Sequence, residues 1–209
     1  MISRATVTSF VSAVVLAAGG STRMGRPKLA VPVRGEPMIR RVTRAAQESR
    51  CREVIVVLGT HADVYQPLLD GLDVRIVMNT DPGEGMGSSI RVGAAAVSPH
   101  AAGVVILLAD QPFVTSEFIN RLLDAAGTQR RPIVASAYEK TLGPPVYFGR
   151  EMFPEVLALS GDRGARSVIE AHAAESISVP IPDASAVDID TTGDLESVER
   201  PEGPRSCPR

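Results

Sequence analysis

The chain has 209 residues, of which 44% are hydrophobic and 22% charged, the balance of a soluble globular protein long enough to bury a substantial core. Lys and Arg total 22 against 24 Asp and Glu; the net charge of −2 excludes a broad basic surface for nucleic acid, so any phosphate recognition must be local. Two cysteines, Cys51 and Cys207, form neither a metal-ligand spacing nor a disulfide framework, which predicts a reducing cytoplasm, and no apolar run is long enough to span a membrane.

The run Phe10 to Leu16, with Arg4 before it and Ala17 and Ala18 after it, imitates a secretory signal and its cleavage site. Cleavage there would remove the only candidate for a first strand, so a buried strand is the expectation. That strand opens into a loop, Gly19-Gly20-Ser21-Thr22-Arg23-Met24-Gly25-Arg26-Pro27-Lys28-Leu29. Glycines at 19, 20 and 25 allow close backbone approach, so that successive N–H groups converge on an anion. Arg23, Arg26 and Lys28 add positive charge. The P-loop pattern is met at Gly20 and Gly25 and then fails, because Arg26 and Pro27 stand where Lys and Ser/Thr belong. The dinucleotide pattern fails on its glycine spacing.

Pro37 to Ser49 has helical spacing of Met38, Ile39, Val42, Ala45 and Ala46, with Arg40, Arg41 and Arg44 turned to solvent. A strand over Val54–Leu58, a helix over Ala62–Leu69 and a strand over Val74–Val77 predict parallel β-α-β units with right-handed crossovers. A second loop of small residues, Asn79 to Gly87, precedes Ser88, Ser89 and a helix over Ile90–Val97. Read locally, the serines either cap that helix or mark an anion site at its positive end. Val104 to Ala109 is the most apolar strand and is expected at the sheet centre, ending in Asp110-Gln111-Pro112. Open α/β sheets take ligands at such a strand end, and carboxylate oxygens there suit Mg²⁺ bound jointly with substrate phosphates. Thr115 or Ser116 is better placed than Asp110 to cap the helix over Phe118–Ala126.

A strand over Ile133–Ala137, the segment Gly143 to Phe148 and a helix over Glu151–Leu159 follow. Arg163 and Arg166 either face an anionic substrate or flank a helix start with Asp162 near its positive end. Short strands are expected over Ile177–Ile181 and Ala186–Ile189, where alternation puts Asp188 and Asp190 on one face. Thr191 and Asp194 make a capping pattern that gives Asp190 a structural alternative. His61, His100 and His172 lie in no candidate site loop and are assigned solvated or capping roles. One domain over 1–200 is expected, with a disordered Pro- and Gly-rich tail over 201–209.

The run L-A-A-G-G-S-T-R-M-G-R-P-K-L closely resembles the signature loop of the nucleotidyltransferases that include the molybdopterin cytidylyltransferases and guanylyltransferases. G-M-G-S-S resembles the matching second loop of the cytidylyl branch, and L-L-A-D-Q-P its metal-binding strand end. G-x-P-x-x-F from Gly143, the run Gly161–Arg166 and the closing D-I-D-T-T-G-D-L resemble further family segments, so the likeness spans about Val14 to Leu195. The chain departs from the family where a Trp often precedes the second loop, where Pro144 replaces a common His, and where Gly193 replaces a Pro.

The resemblance implies a three-layer α/β/α nucleotidyltransferase fold, Rossmann-like and of the GT-A type, with a mostly parallel sheet. It implies transfer of CMP from CTP to the terminal phosphate of molybdenum-loaded molybdopterin, with Mg²⁺, or Mn²⁺ in its place, on Asp110 and Asp190. Ala17, Ala18, Gly19, Gly20, Ser21, Thr22, Arg23, Lys28, Asn79, Gly87, Ser88 and Ser89 would hold the nucleotide, with Arg23, Lys28 and Asp110 catalytic. Gly143, Pro145, Arg163 and Arg166 would lie on the substrate side. The cytosine preference rests on L-A-A-G, where guanylyl enzymes typically read L-A-G-G. A molybdenum hydroxylase apo-enzyme is the implied recipient of the product, and neither nucleic acid nor membrane is a partner. The alternatives are a GTP-using or sugar- or polyol-phosphate nucleotidyltransferase, and a non-catalytic chaperone that loads a molybdenum hydroxylase.

Overall fold

The first apolar run becomes a strand paired on both sides, β1 (Phe10–Ala17), in a computed structural model that describes residues 10–20, 25–129, 131–139, 141–189 and 191–199. After it come the short hairpin β2 (Pro32–Val33) and β3 (Glu36–Pro37), α1 (Met38–Glu48), β4 (Glu53–Leu58), α2 (Ala62–Tyr65) and β5 (Arg75–Met78). The chain continues through α3 (Met86–Ala96), β6 (Ala101–Leu108), α4 (Ser116–Gln129), β7 (Ile133–Ala137) and β8 (Leu142–Gly149). It closes with α5 (Phe153–Leu157), α6 (Ala165–Ala171), β9 (Ser176–Pro180) and α7 (Thr192–Glu199).

The main sheet has seven strands in the order β5-β4-β1-β6-β8-β7-β9. β1 is parallel to β4 and to β6, β4 to β5, and β7 to β9, whereas β8 runs antiparallel to both β6 and β7. The sheet is therefore mostly parallel. Strand order reverses at β1: the chain first builds outward through β4 and β5, then returns to place β6 on the other side. Such a switch point leaves a crevice at the carboxyl ends of the two central strands.

Both faces of the sheet are covered, which is why its central strands are apolar throughout rather than alternating. Ala13, Val15, Val56 and Leu107 pack with Ile39 and Val42 of α1 and Phe118 and Leu122 of α4. Val14, Val57, Ile106 and Phe148 pack on the opposite face with Ile90 of α3, Val156 of α5 and Ile169 of α6. α3 comes so close to β1 that a Cβ at Gly93 would stand 2.4 Å from Val14 Cγ1, so only glycine fits there. A smaller cluster of Val31, Val33, Met38, Phe113, Ile189 and Leu195 fastens the last segment of the chain onto the hairpin.

Several expectations need correction. The helix expected over Ala62–Leu69 is α for Ala62–Tyr65 and tightens to a 3₁₀ turn over Gln66–Leu69, around Pro67 with its missing N–H. α3 begins at Met86 rather than Ile90 and is capped by Gly85 at φ 101°, which puts Ser88 and Ser89 inside the first turn rather than at the cap. Gly143 to Phe148 forms most of the antiparallel strand β8. Ala186–Ile189 forms no strand; it packs into the small cluster instead, and Ile189 N–H donates to the Asp110 carbonyl at 3.1 Å. Thr115 Oγ1 accepts the Phe118 N–H at 3.3 Å, the cap expected for α4. Thr191 and Asp194 form the expected reciprocal cap, Thr191 N–H to Asp194 Oδ2 at 2.7 Å and Asp194 N–H to Thr191 Oγ1 at 3.2 Å. Cys51 is buried and free, and Cys207 and the rest of the tail over 201–209 lie outside the described residues. Among the described residues no helix is long and apolar enough to cross a membrane.

Candidate active site at the β1–β6 crevice

β1 ends at Ala17 with Ala18 buried behind it, and the chain emerges at Gly19 and Gly20, both exposed. Ser21, Thr22 and Arg23 lie outside the described residues. The loop returns at Lys28, in a 3₁₀ turn over Lys28–Ala30. Across the crevice the ladder runs one residue past β6, with Ala109 N–H donating to the Leu16 carbonyl at 3.1 Å. This puts Asp110 beside the exit of β1.

Lys28 Nζ donates to Asp110 Oδ2 at 2.9 Å, across 82 positions of sequence. The two side chains are 10% and 27% exposed, a burial that charged groups tolerate only when paired. Asp110 Oδ1 is buried and finds no hydrogen-bond donor among the described residues. A carboxylate with one oxygen on an ammonium and the other bare has capacity for a hard cation. No group of three or more His, Cys, Asp or Glu among the described residues could hold a metal by itself. Such a donor set suits an ion bound through one or two carboxylates plus substrate phosphates, as Mg²⁺ usually is. Asp190, the expected second carboxylate, lies outside the described residues.

Sequence reasoning missed the residue that organises the far wall. Gln111 is 2% exposed, and its Nε2 donates to Asp188 Oδ1 at 2.9 Å and to the Tyr138 hydroxyl at 2.8 Å. The Tyr138 hydroxyl in turn donates to the Pro144 carbonyl, and Ser136 Oγ donates to the Pro145 carbonyl at 2.6 Å. Pro144 is thereby tied through Tyr138 to Gln111, the neighbour of Asp110 in sequence, while Pro145 is held from β7 by Ser136. Burial pushes the Tyr138 phenol up to about 12, against the hydrogen bond from Gln111, with the nearby charges of Asp188 and Asp110 adding to the rise. The hydroxyl therefore stays protonated near neutrality and keeps donating. The only sequence signal for Gln111 was its place directly after Asp110.

The second glycine-rich loop is largely satisfied by itself. Asn79, 4% exposed, donates from Nδ2 to Ser88 Oγ at 2.8 Å and Ser89 Oγ at 3.0 Å, and accepts the Asp81 N–H at 3.0 Å. Gly87 N–H donates to the Gly161 carbonyl at 2.9 Å, and a Cβ at Gly87 would stand 2.7 Å from the Ser160 carbonyl carbon. Glycine at 87 is thus required for docking onto the loop that leads to α6. The fold brings together two segments singled out separately, residues 85–89 and 161–166. Arg163 pairs with Glu170 on an exposed face of α6, and Arg166 is also exposed. Of the histidines, His172 pairs with Glu155, while His61, assigned no site role, lies with Nε2 3.2 Å from the Gly20 carbonyl.

A family model described as the MobA-like NTP transferase domain matches residues 13–176, from β1 to the first residue of β9. The chain belongs to the MobA-like NTP transferase family. It is 31% identical over 202 residues to the purine catabolism protein PucB of Bacillus subtilis (strain 168), covering 92% of this chain and 93% of that one. It is 34% identical over 168 residues to a protein of Paenarthrobacter nicotinovorans named nicotine blue oxidoreductase, covering 75% and 79%. Among solved structures, Rv0371c of Mycobacterium tuberculosis H37Rv superposes with a TM-score of 0.80 at 27% identity, covering 91% of this chain and 97% of that one. The same mycobacterial protein has also been solved in complex with manganese, and that structure matches with a TM-score of 0.77.

Proposed function

We propose that the chain is a divalent-metal-dependent cytidylyltransferase that moves CMP from CTP to the terminal phosphate of molybdenum-loaded molybdopterin. The observation that carries this is the Lys28–Asp110 pair at the β1–β6 crevice, with one Asp110 oxygen bare. An oxygen of the acceptor phosphate attacks the α-phosphorus. The bond from that phosphorus to the α–β bridging oxygen breaks, and its electron pair leaves with pyrophosphate. The attacking oxygen is already ionised near neutral pH, so no side chain need act as general base.

Asp110, with Asp190 as the expected second carboxylate, would hold a divalent ion, which would neutralise charge on the phosphate oxygens; the manganese complex of Rv0371c supports an ion of this charge. The chain's own residues do the rest. Backbone N–H groups of Gly19 to Thr22, with Ala17 and Ala18 leading into them, would hold the β and γ phosphates, and Arg23 would help stabilise the charge on departing pyrophosphate. Lys28 exchanges its Asp110 contact for the charge that builds on departing pyrophosphate. Asn79, Ser88 and Ser89 shape the nucleotide side through the loop they brace, with Gly87 setting its approach. Gly143, Pro145 and the Tyr138 hydroxyl would border the acceptor, and Arg163 and Arg166, exposed on the segment docked against the second loop, would meet its anionic groups. The cytosine preference and the pterin acceptor are supported by the L-A-A-G loop and its family.

The test offers CTP and GTP in competition with molybdenum-loaded molybdopterin and identifies the product by mass. The cytosine dinucleotide should dominate. Equal products, or a guanine product, overturn the cytidylyl assignment, and a nucleotidyl product formed only with sugar or polyol phosphates overturns the pterin assignment.

A further inference from the structure

The turn after β4 touches the nucleotide loop at both of its ends. At the entry, Gly59 lies so close to Ala18 that a Cβ would stand 2.7 Å from the Ala18 carbonyl oxygen. One turn on, His61 Nε2 meets the Gly20 carbonyl at 3.2 Å. At the exit, the buried Tyr65 hydroxyl accepts the Leu29 N–H at 3.4 Å. The two rings join the ends: His61 and Tyr65 meet edge to face with centroids 5.7 Å apart. A single short segment, Gly59 to Tyr65, thus braces residues 18–20 and residue 29.

We infer that His61 is a positioning residue for nucleotide binding, acting through the Gly20 carbonyl; this rests on reading the loop as the nucleotide cradle. A carbonyl only accepts, so Nε2 must carry the proton, and a neutral imidazole in that tautomer suffices. The bond fixes the plane of the peptide at the head of the loop. Gly19 and Gly20 lack the Cβ that narrows backbone choice, so the chain has most freedom to lose there. If the brace is absent, the nucleotide itself must order that backbone. Ordering one residue by ligand corresponds to about 5- to 30-fold in affinity. Phosphate contacts formed after ordering are unaffected, so the loss belongs in KM rather than in kcat.

The test compares wild type with His61→Ala and with His61→Gln, whose side-chain amide keeps a donor. Hydrogen exchange of peptides covering residues 18–29 is measured without ligand, and KM for the NTP and kcat are measured with it. His61→Ala should exchange faster in that segment alone. It should raise KM about 5- to 30-fold and change kcat by less than about 2-fold. His61→Gln should recover most of both effects. Wild-type exchange and wild-type KM in His61→Ala overturn the inference while leaving the nucleotidyltransferase reading standing. A glutamine variant as impaired as the alanine one also overturns it, because the donor would then not be what matters. A wild-type chain that binds no NTP overturns the cradle reading and the inference with it.

Discussion

Lys28→Met keeps most of the apolar stem and removes the ammonium from Asp110. At 2.9 Å the gross attraction of the pair is about 6 kcal/mol for an effective dielectric near 20. Desolvation offsets much of that, but the variant does not recover the desolvation of the carboxylate left behind. Breaking a buried pair by removing one partner costs about 3–5 kcal/mol. Because the Asp110 side chain is 27% exposed, the cost here should fall lower, at about 2–3 kcal/mol. In a chain of 209 residues that is a Tm drop of about 4–12 °C. Asp110→Asn should cost more, since it strands the more buried partner. The double variant should lose less than the sum of the singles by about 1–3 kcal/mol. Thermal denaturation in metal-free buffer reads all three. Adding Mn²⁺ should raise the Tm of Lys28→Met more than that of wild type, because the ion no longer competes with an ammonium for Asp110. A Lys28→Met variant at the wild-type Tm, or strictly additive losses, would refute the account of the pair.

Gln111→Leu strips the donor from Asp188 and Tyr138; unfolding free energy should fall by about 1–3 kcal/mol, and kcat/KM by about 10-fold or more as the far wall loosens. Urea melts and steady-state kinetics check both, and unchanged kinetics in a destabilised variant would make Gln111 purely structural. Gly93→Ala forces a Cβ to within 2.4 Å of Val14 Cγ1 and should destabilise by about 1–3 kcal/mol, whereas at Gly19, where a Cβ would meet nothing within 4 Å, alanine should leave the Tm nearly unchanged. The hydrogen bond with Glu155 holds the His172 imidazole above its ordinary range, with Glu175 adding to the rise. A raised native pKa gives stability that is present in full below the unfolded value, about 6.5, and is lost as pH rises through the native value. His172→Gln should therefore melt below wild type at acid pH and converge with it above neutrality; a gap that widens with pH would contradict this.

The central strands were legible because burial on both faces leaves little choice of residue in β1, β4 and β6. β8 was not: its direction is set by pairing with β6 and β7, and no local period encodes that. Around Asp188 the alternation is present, but packing of Ile189 and Val187 against Phe113 and Val31 uses it, with no strand formed. Ser88, Ser89 and Asn79 show a deeper ambiguity, because small polar residues that would greet a phosphate are the same ones that satisfy a tight loop internally. Lys28 and Asp110 were each singled out from their own loop and strand end as well as by resemblance, yet their contact exists only through the crossover that sets β6 beside β1. The links from Gln111 to Tyr138 and Asp188 span 27 and 77 positions, beyond any periodic signal. Ser21, Thr22, Arg23 and Asp190, the rest of the expected site, lie outside the described residues.

Pyrophosphate release tests the central claim most directly. With Mg²⁺, CTP and molybdenum-loaded molybdopterin, the wild-type chain should release pyrophosphate in step with nucleotidyl product. Asp110→Ala and Lys28→Ala, assayed at a temperature where each remains folded, should be slower by about 100-fold or more. Near-normal release from either variant, or none from the wild type with any NTP, would contradict the assignment, the second result being the one a non-catalytic chaperone would give.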